Sequence, residues 1–195
     1  MMSVIRIISA VYAACVLFAS CGAPVIDEAK VEAAFFEAEE IASYFTGYVA
    51  GNVYAEGTVA VNGVRYDRFA PYATMAELAA LVESRFDGAL AERLLSASTV
   101  DGDLLYIEQD GVLYRFGGYI AQYAYLDAER EVTDIRAEDG VIYVDIASTF
   151  DLMDEPMTVS HTYTCVEEDG EYRFTGEFAL PFTVVYDAWT GRDMQ

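Results

Sequence analysis

One histidine and one lysine serve a chain of 195 residues. The lone histidine, His161, rules out zinc sites built from several histidines and the paired histidines of the HExxH motif. No Gly-x-Ser-x-Gly nucleophile turn and no Gly-rich phosphate loop ending in Lys occurs anywhere. Cations of any kind are scarce, with 11 Lys and Arg against 33 Asp and Glu, for a net charge of −22. Such a surface repels nucleic-acid phosphates, anionic lipid heads and anionic wall polymers, and it attracts a basic partner. The same charge maintains solubility.

What is present begins with the N-terminus. Arg6 is the sole charge before Asp27, and residues 7–19, IISAVYAACVLFA, form an apolar run. The run is too short to span a bilayer comfortably and matches the apolar part of a signal peptide. Phe18-Ala19-Ser20-Cys21-Gly22 closes it. This resembles the lipobox of bacterial lipoproteins, in which small residues precede a cysteine that takes a diacylglycerol before cleavage. The expectation is a signal peptide over 1–20, lipid on Cys21, a short tether over 21–26, and an extracytoplasmic position anchored at the cell membrane. Residues 22–26 reach at most about 17 Å, which keeps the domain close to the bilayer. Cleavage would remove Cys15 and lipid would block Cys21, leaving Cys165 without a disulfide partner. The core alone must then hold the fold.

The pattern from 27 to 182 reads as one α+β domain, with 183–195 as a tail. Asp27 is placed to cap a helix over 27–46, where Val31, Phe35, Ala38, Ala42 and Phe45 recur at helical spacing. Residues 47–57, with two tyrosines and three glycines, read as a loop. Asn62-Gly63 between Thr58–Val61 and Val64–Phe69 is a hairpin signal. Thr74 and Glu77 form a capping box ahead of a helix over 75–86, and Asp87 caps a second short one reaching Leu94 and Leu95. Strands follow at 104–108 and 112–116 around Asp110-Gly111, then at 119–126, 130–136, 141–148 and 157–166. Asp169-Gly170 turns into a last strand over 172–180. The expected architecture is an antiparallel β-sheet packed by an N-terminal helix and a central helical pair.

Candidate chemistry is sparse. His161 and Cys165 stand on the same side of one strand, but four strand residues span about 13 Å, too far for a local dyad. Cys165 reads as a small buried apolar residue. Gly117-Gly118 reads as a turn or bulge. The acidic groups Asp151…Asp154-Glu155 and Glu167-Glu168-Asp169 lack the EF-hand pattern and read as solvated loops. With 33 acids, candidate carboxylate pairs abound and nothing selects one. The expectation is a protein that is not an enzyme, with no cofactor and no metal.

One family shares the layout. Tyr44-Phe45-Thr46-Gly47-Tyr48 ends a helix in aromatics, and Val61-Asn62-Gly63-Val64-Arg65-Tyr66-Asp67-Arg68-Phe69 follows. Then come Thr74 through Phe86-Asp87-Gly88 to Leu94-Leu95-Ser96, Asp101 to Ile107, and a closing set of strands. From Ile41 to about Phe182 the chain resembles the IseA family of DL-endopeptidase inhibitors, secreted by Gram-positive bacteria. The resemblance implies a protein without chemistry of its own that blocks NlpC-type cysteine peptidases acting on peptidoglycan stem peptides. Tyr48, Asn52 and Tyr54 in the 47–57 stretch are the candidate anchors for such a partner. The competing class is a small-molecule or solute-binding α+β module at the cell envelope, with helices and a curved sheet enclosing a pocket of inward aromatics.

Overall fold

The computed structural model describes residues 26–45, 54–99, 101–117, 128–152 and 155–178. Helix α1, Glu28–Ser43, starts where the Asp27 carboxylate accepts the Lys30 backbone N–H at 3.3 Å. Its stripe of Val31, Ala34, Phe35, Ala38, Ile41 and Ala42 is buried, which fixes the face it turns to the core. Helix α2, Met75–Arg85, and helix α3, Gly88–Leu95, follow as a pair. The Thr74 hydroxyl accepts from Glu77 N at 3.2 Å, but the Glu77 carboxylate reaches the N–H of Ala73, at 2.7 Å, rather than that of Thr74. Asp87 caps α3 by accepting from Leu90 N at 2.8 Å. The helix expected through residue 86 stops at Arg85, because Phe86 is extended and forms a parallel bridge with Phe174.

The fold is α+β with two antiparallel sheets in place of one. The first contains β1 (Tyr54–Val61), β2 (Val64–Phe69), β3 (Tyr106–Gln109) and β4 (Val112–Phe116) in the order β1-β2-β4-β3. The second contains β5 (Glu129–Glu138), β6 (Val141–Leu152), β7 (Glu155–Glu168) and β8 (Glu171–Thr175) in sequence order. The division has a local cause. The early hairpin completes itself by pairing β2 with β4, while the later strands form an unbroken meander. Four turns close hairpins with both residues at positive φ: Asn62-Gly63, Asp110-Gly111, Asp139-Gly140 and Asp169-Gly170. Asn or Asp followed by Gly meets that demand at low steric cost. The strand expected over 119–126 lies outside the described residues.

The core sits between the helices and the inner faces of both sheets. Ile142, Val144 and Ile146 of β6 oppose Cys165, Tyr163 and His161 of β7 on the inner face of the second sheet. Phe35 from α1 lies edge-on to Tyr163 and Phe174, at 4.9 and 5.9 Å between ring centroids. Arg85 joins three elements through Glu37 of α1 at 2.6 Å and Glu171 of β8 at 2.8 Å. Burial opposes its charge, and the hydrogen bonds it donates to the two carboxylates outweigh that and raise its pKa. Glu39 of α1 and Arg130 of β5 form a buried ion pair under the helix. Burial pushes the Arg130 pKa down. The Asn-Gly and Asp-Gly turns and the alternating strands thus wrap one core, to which α1 contributes from both of its ends.

Candidate functional site

The C-terminal end of α1 meets the first sheet through a polar contact buried among aromatics. Arg115 on β4 shares the inward face with Leu113, because the strand alternates, and it is only 2 % exposed. Its Nε donates to the Tyr44 carbonyl at 3.3 Å and its Nη1 donates to the Tyr54 phenol oxygen at 2.5 Å. Tyr106, the register partner of Arg115, donates its hydroxyl to the same Tyr44 carbonyl at 2.6 Å. The helix end has carbonyls without intrahelical donors, and these two side chains satisfy one of them. Around them the rings of Tyr44 and Phe69, Phe45 and Tyr106, and Phe69 and Tyr106 meet edge-on at 5.6, 5.4 and 5.2 Å.

Burial governs the phenols of this cluster. Burial, then the neighbouring Glu40 carboxylate, pushes the Tyr44 phenol up to about 12. The Tyr44 hydroxyl donates to Glu40 at 3.1 Å. Burial pushes Tyr106 upward as well, against the opposing pull of Arg115. Both phenols therefore stay neutral at ordinary pH and act as hydrogen-bond donors.

The residues expected to carry function are distributed as follows. Cys21, Tyr48 and Asn52 lie outside the described residues. Tyr54 is described, and it belongs to β1 rather than to a loop. It pairs with Phe69, and a register shift between Tyr54 and Thr58 follows. The strand runs back past Gly57, whose φ of 130° falls within that irregularity. Tyr54 remains 40 % exposed while its hydroxyl is held by Arg115.

Other candidates are structural. Cys165 is fully buried, and burial pushes its thiol up to about 12, so it holds no thiolate at neutral pH. His161 stands two residues from Tyr163 on the same inner face, with ring centroids 4.6 Å apart. Gly117 sits so close to β2 that a Cβ would meet the Asp67 carboxylate at 2.5 Å. Glu168 pairs with Arg173 at 2.5 Å. Among the described residues, no three His, Cys, Asp or Glu converge as for a metal ion. Also among them, no helix is long and apolar enough to cross a membrane.

Phe35, Phe69, Phe86, Phe150 and Phe174 are each under 2 % exposed. An open cleft of about 610 Å³ lies on the outside, between the α2–α3 pair and Arg173 of β8. Arg115 belongs to no catalytic motif. Its signal is the strand pattern Val112-Leu113-Tyr114-Arg115-Phe116, which puts a cation on the apolar face. No family model and no curated protein matches the chain.

Proposed function

We propose that the chain is an exported lipoprotein, held at the membrane by lipid on Cys21, that inhibits a cell-wall DL-endopeptidase of the NlpC type by occupying its cleft. The observation that carries the reading is the attachment of Tyr44 and Tyr54 to one buried guanidinium, that of Arg115. The connection between the two tyrosines contains Tyr48 and Asn52, and it departs from and returns to fixed points. An inhibitory segment needs such a base, because a contact presented from rigid flanks loses less entropy on binding. The exposed ring of Tyr54 beside it suits an interface anchor.

Charge supports the same reading. A net charge of −22 steers the domain toward a basic enzyme surface and contributes mainly to the association rate. The inward rings of Phe35, Tyr163 and Phe174, and of Phe69 and Tyr106, meet edge to face, and that contact favours this reading over a solute-binding module, whose ligand would need inward aromatics around an open space. The Phe18-Ala19-Ser20-Cys21 boundary supports the membrane position. The reading is tested by capture from envelope extract on the immobilised protein. An NlpC-type peptidase retained at low salt and released as salt rises is the expected result. Retention of no peptidase at any ionic strength contradicts it.

A further inference from the structure

The outer strands of the two sheets treat their free edges differently. β8 is closed by the α2–α3 junction, where Phe86 bridges Phe174 and Asp87 N donates to the Phe174 carbonyl at 2.9 Å. β3 is four residues long, and its Glu108 carboxylate accepts the Met75 N–H at the start of α2, at 2.7 Å. β5 carries six charged residues in ten and a register shift between Val132 and Asp134. Short length, charge and irregularity all discourage a further strand. β1 differs, with one charge in eight residues, Glu56. Its pairing with β2 is regular from Thr58 to Val61. The two-residue turn makes Val61 and Val64 a hydrogen-bonded pair, so Val59 also bonds inward, to Tyr66. Thr58 and Ala60 therefore turn their N–H and C=O groups outward. Both residues are exposed, and among the described residues no strand takes up those groups.

We propose that this edge pairs with the same edge of a second copy, antiparallel about a two-fold axis at Val59. Thr58 then faces the partner's Ala60, and Ala60 faces the partner's Thr58. Each facing pair exchanges two N–H···O bonds. Val59 meets the partner's Val59, which carries the row of Phe116, Tyr66 and Val59 across the junction. Glu56 faces the partner's Asn62, so like charges do not oppose each other in this register. The hairpin is itself neutral, with Arg65 and Arg68 against Glu56 and Asp67, in a chain at −22. A copy of the same edge thus meets its hydrogen bonds, its apolar row and its charges at once. Four hydrogen bonds make a small interface, and the dimer is a weak one. Tyr54 lies beyond the register shift and outside the paired stretch, so the pairing is independent of inhibition.

The test is disulfide cross-linking of the full-length protein at micromolar concentration in neutral detergent, under mild oxidation, read on non-reducing gels. Facing residues of a non-hydrogen-bonded pair have Cβ atoms about 4.5–5.5 Å apart, within reach of a disulfide after a small adjustment. Val59→Cys should therefore form a covalent dimer, and Glu56→Cys, which faces Asn62, should not. The wild type is the blank, its Cys165 being fully buried. Adding Ala60→Pro to Val59→Cys removes one outward donor per copy and no bond to β2, so cross-linking should slow by about tenfold or more. Added salt should speed the Val59→Cys reaction, because it screens the repulsion between two chains of −22. The comparison of Val59→Cys with Glu56→Cys stands even if Ala60→Pro fails to fold. Equal dimer yield from those two variants, a folded Ala60→Pro variant that cross-links at the parent rate, or a reaction slowed by salt would each overturn the proposal.

Discussion

The hydroxyl of Tyr106 donates to the backbone carbonyl of Tyr44 at 2.6 Å, and this bond fastens the end of α1 to the first sheet. Tyr106→Phe removes the donor but keeps the ring. Arg115 still donates to that carbonyl. The loss should be that of one buried hydrogen bond, about 1 kcal/mol, or roughly 2–4 °C in melting temperature. Arg115→Ala removes bonds to both tyrosines and should cost more, about 3 kcal/mol. Thermal denaturation of the two variants checks the order. A larger effect from Tyr106→Phe would contradict it.

Cys165 should resist alkylation in the native protein. Its thiol is fully buried and pushed up to about 12 by that burial. Iodoacetamide at pH 8, followed by peptide mapping, should leave Cys165 unmodified until denaturant is added. Rapid native labelling would show an exposed thiolate.

Folding lowers the pKa of His161 from 6.5, because burial disfavours the imidazolium and Glu177 opposes this only in part. The unfolded chain therefore takes up this proton first as pH falls. The stability that neutral His161 contributes is fully present above the unfolded value and is lost as pH falls through the folded value. His161→Phe removes the titration. Melting temperature of the variant relative to the wild type should rise between pH 7.5 and 5.5. Parallel pH profiles for the two proteins would contradict this assignment.

Lipid attachment has its own test. Cys21→Ser should abolish incorporation of radioactive fatty acid and leave an unprocessed or released form. Unchanged labelling would remove Cys21 as the modified residue.

Much of the fold is written in local sequence signals. Asp27, Thr74 and Asp87 start the three helices among the described residues, and Asn62-Gly63, Asp110-Gly111 and Asp169-Gly170 close the hairpins read from them. These depend on neighbours only a few residues apart. The division into two sheets is not legible in this way. It depends on β2 choosing β4, with the α2–α3 pair between them in sequence, and alternation alone does not say which strands meet. Tyr54 is misread as loop because glycines on both sides mask a strand that tolerates an irregularity. Arg115 and the Glu39–Arg130 pair are missed because buried cations carry no motif, and their partners come from distant elements.

One rate measurement tests inhibition most directly. Hydrolysis of peptidoglycan by an NlpC-type DL-endopeptidase from the same organism is followed with and without micromolar full-length protein in neutral detergent. The expected result is a saturable slowing, weakened by added salt as screening shortens to about 8 Å. Tyr54→Ala should raise the inhibition constant by about thirtyfold, equivalent to about 2 kcal/mol at an interface anchor. A peptidase rate that stays unchanged at micromolar protein, for every such enzyme of the organism, would contradict the claim.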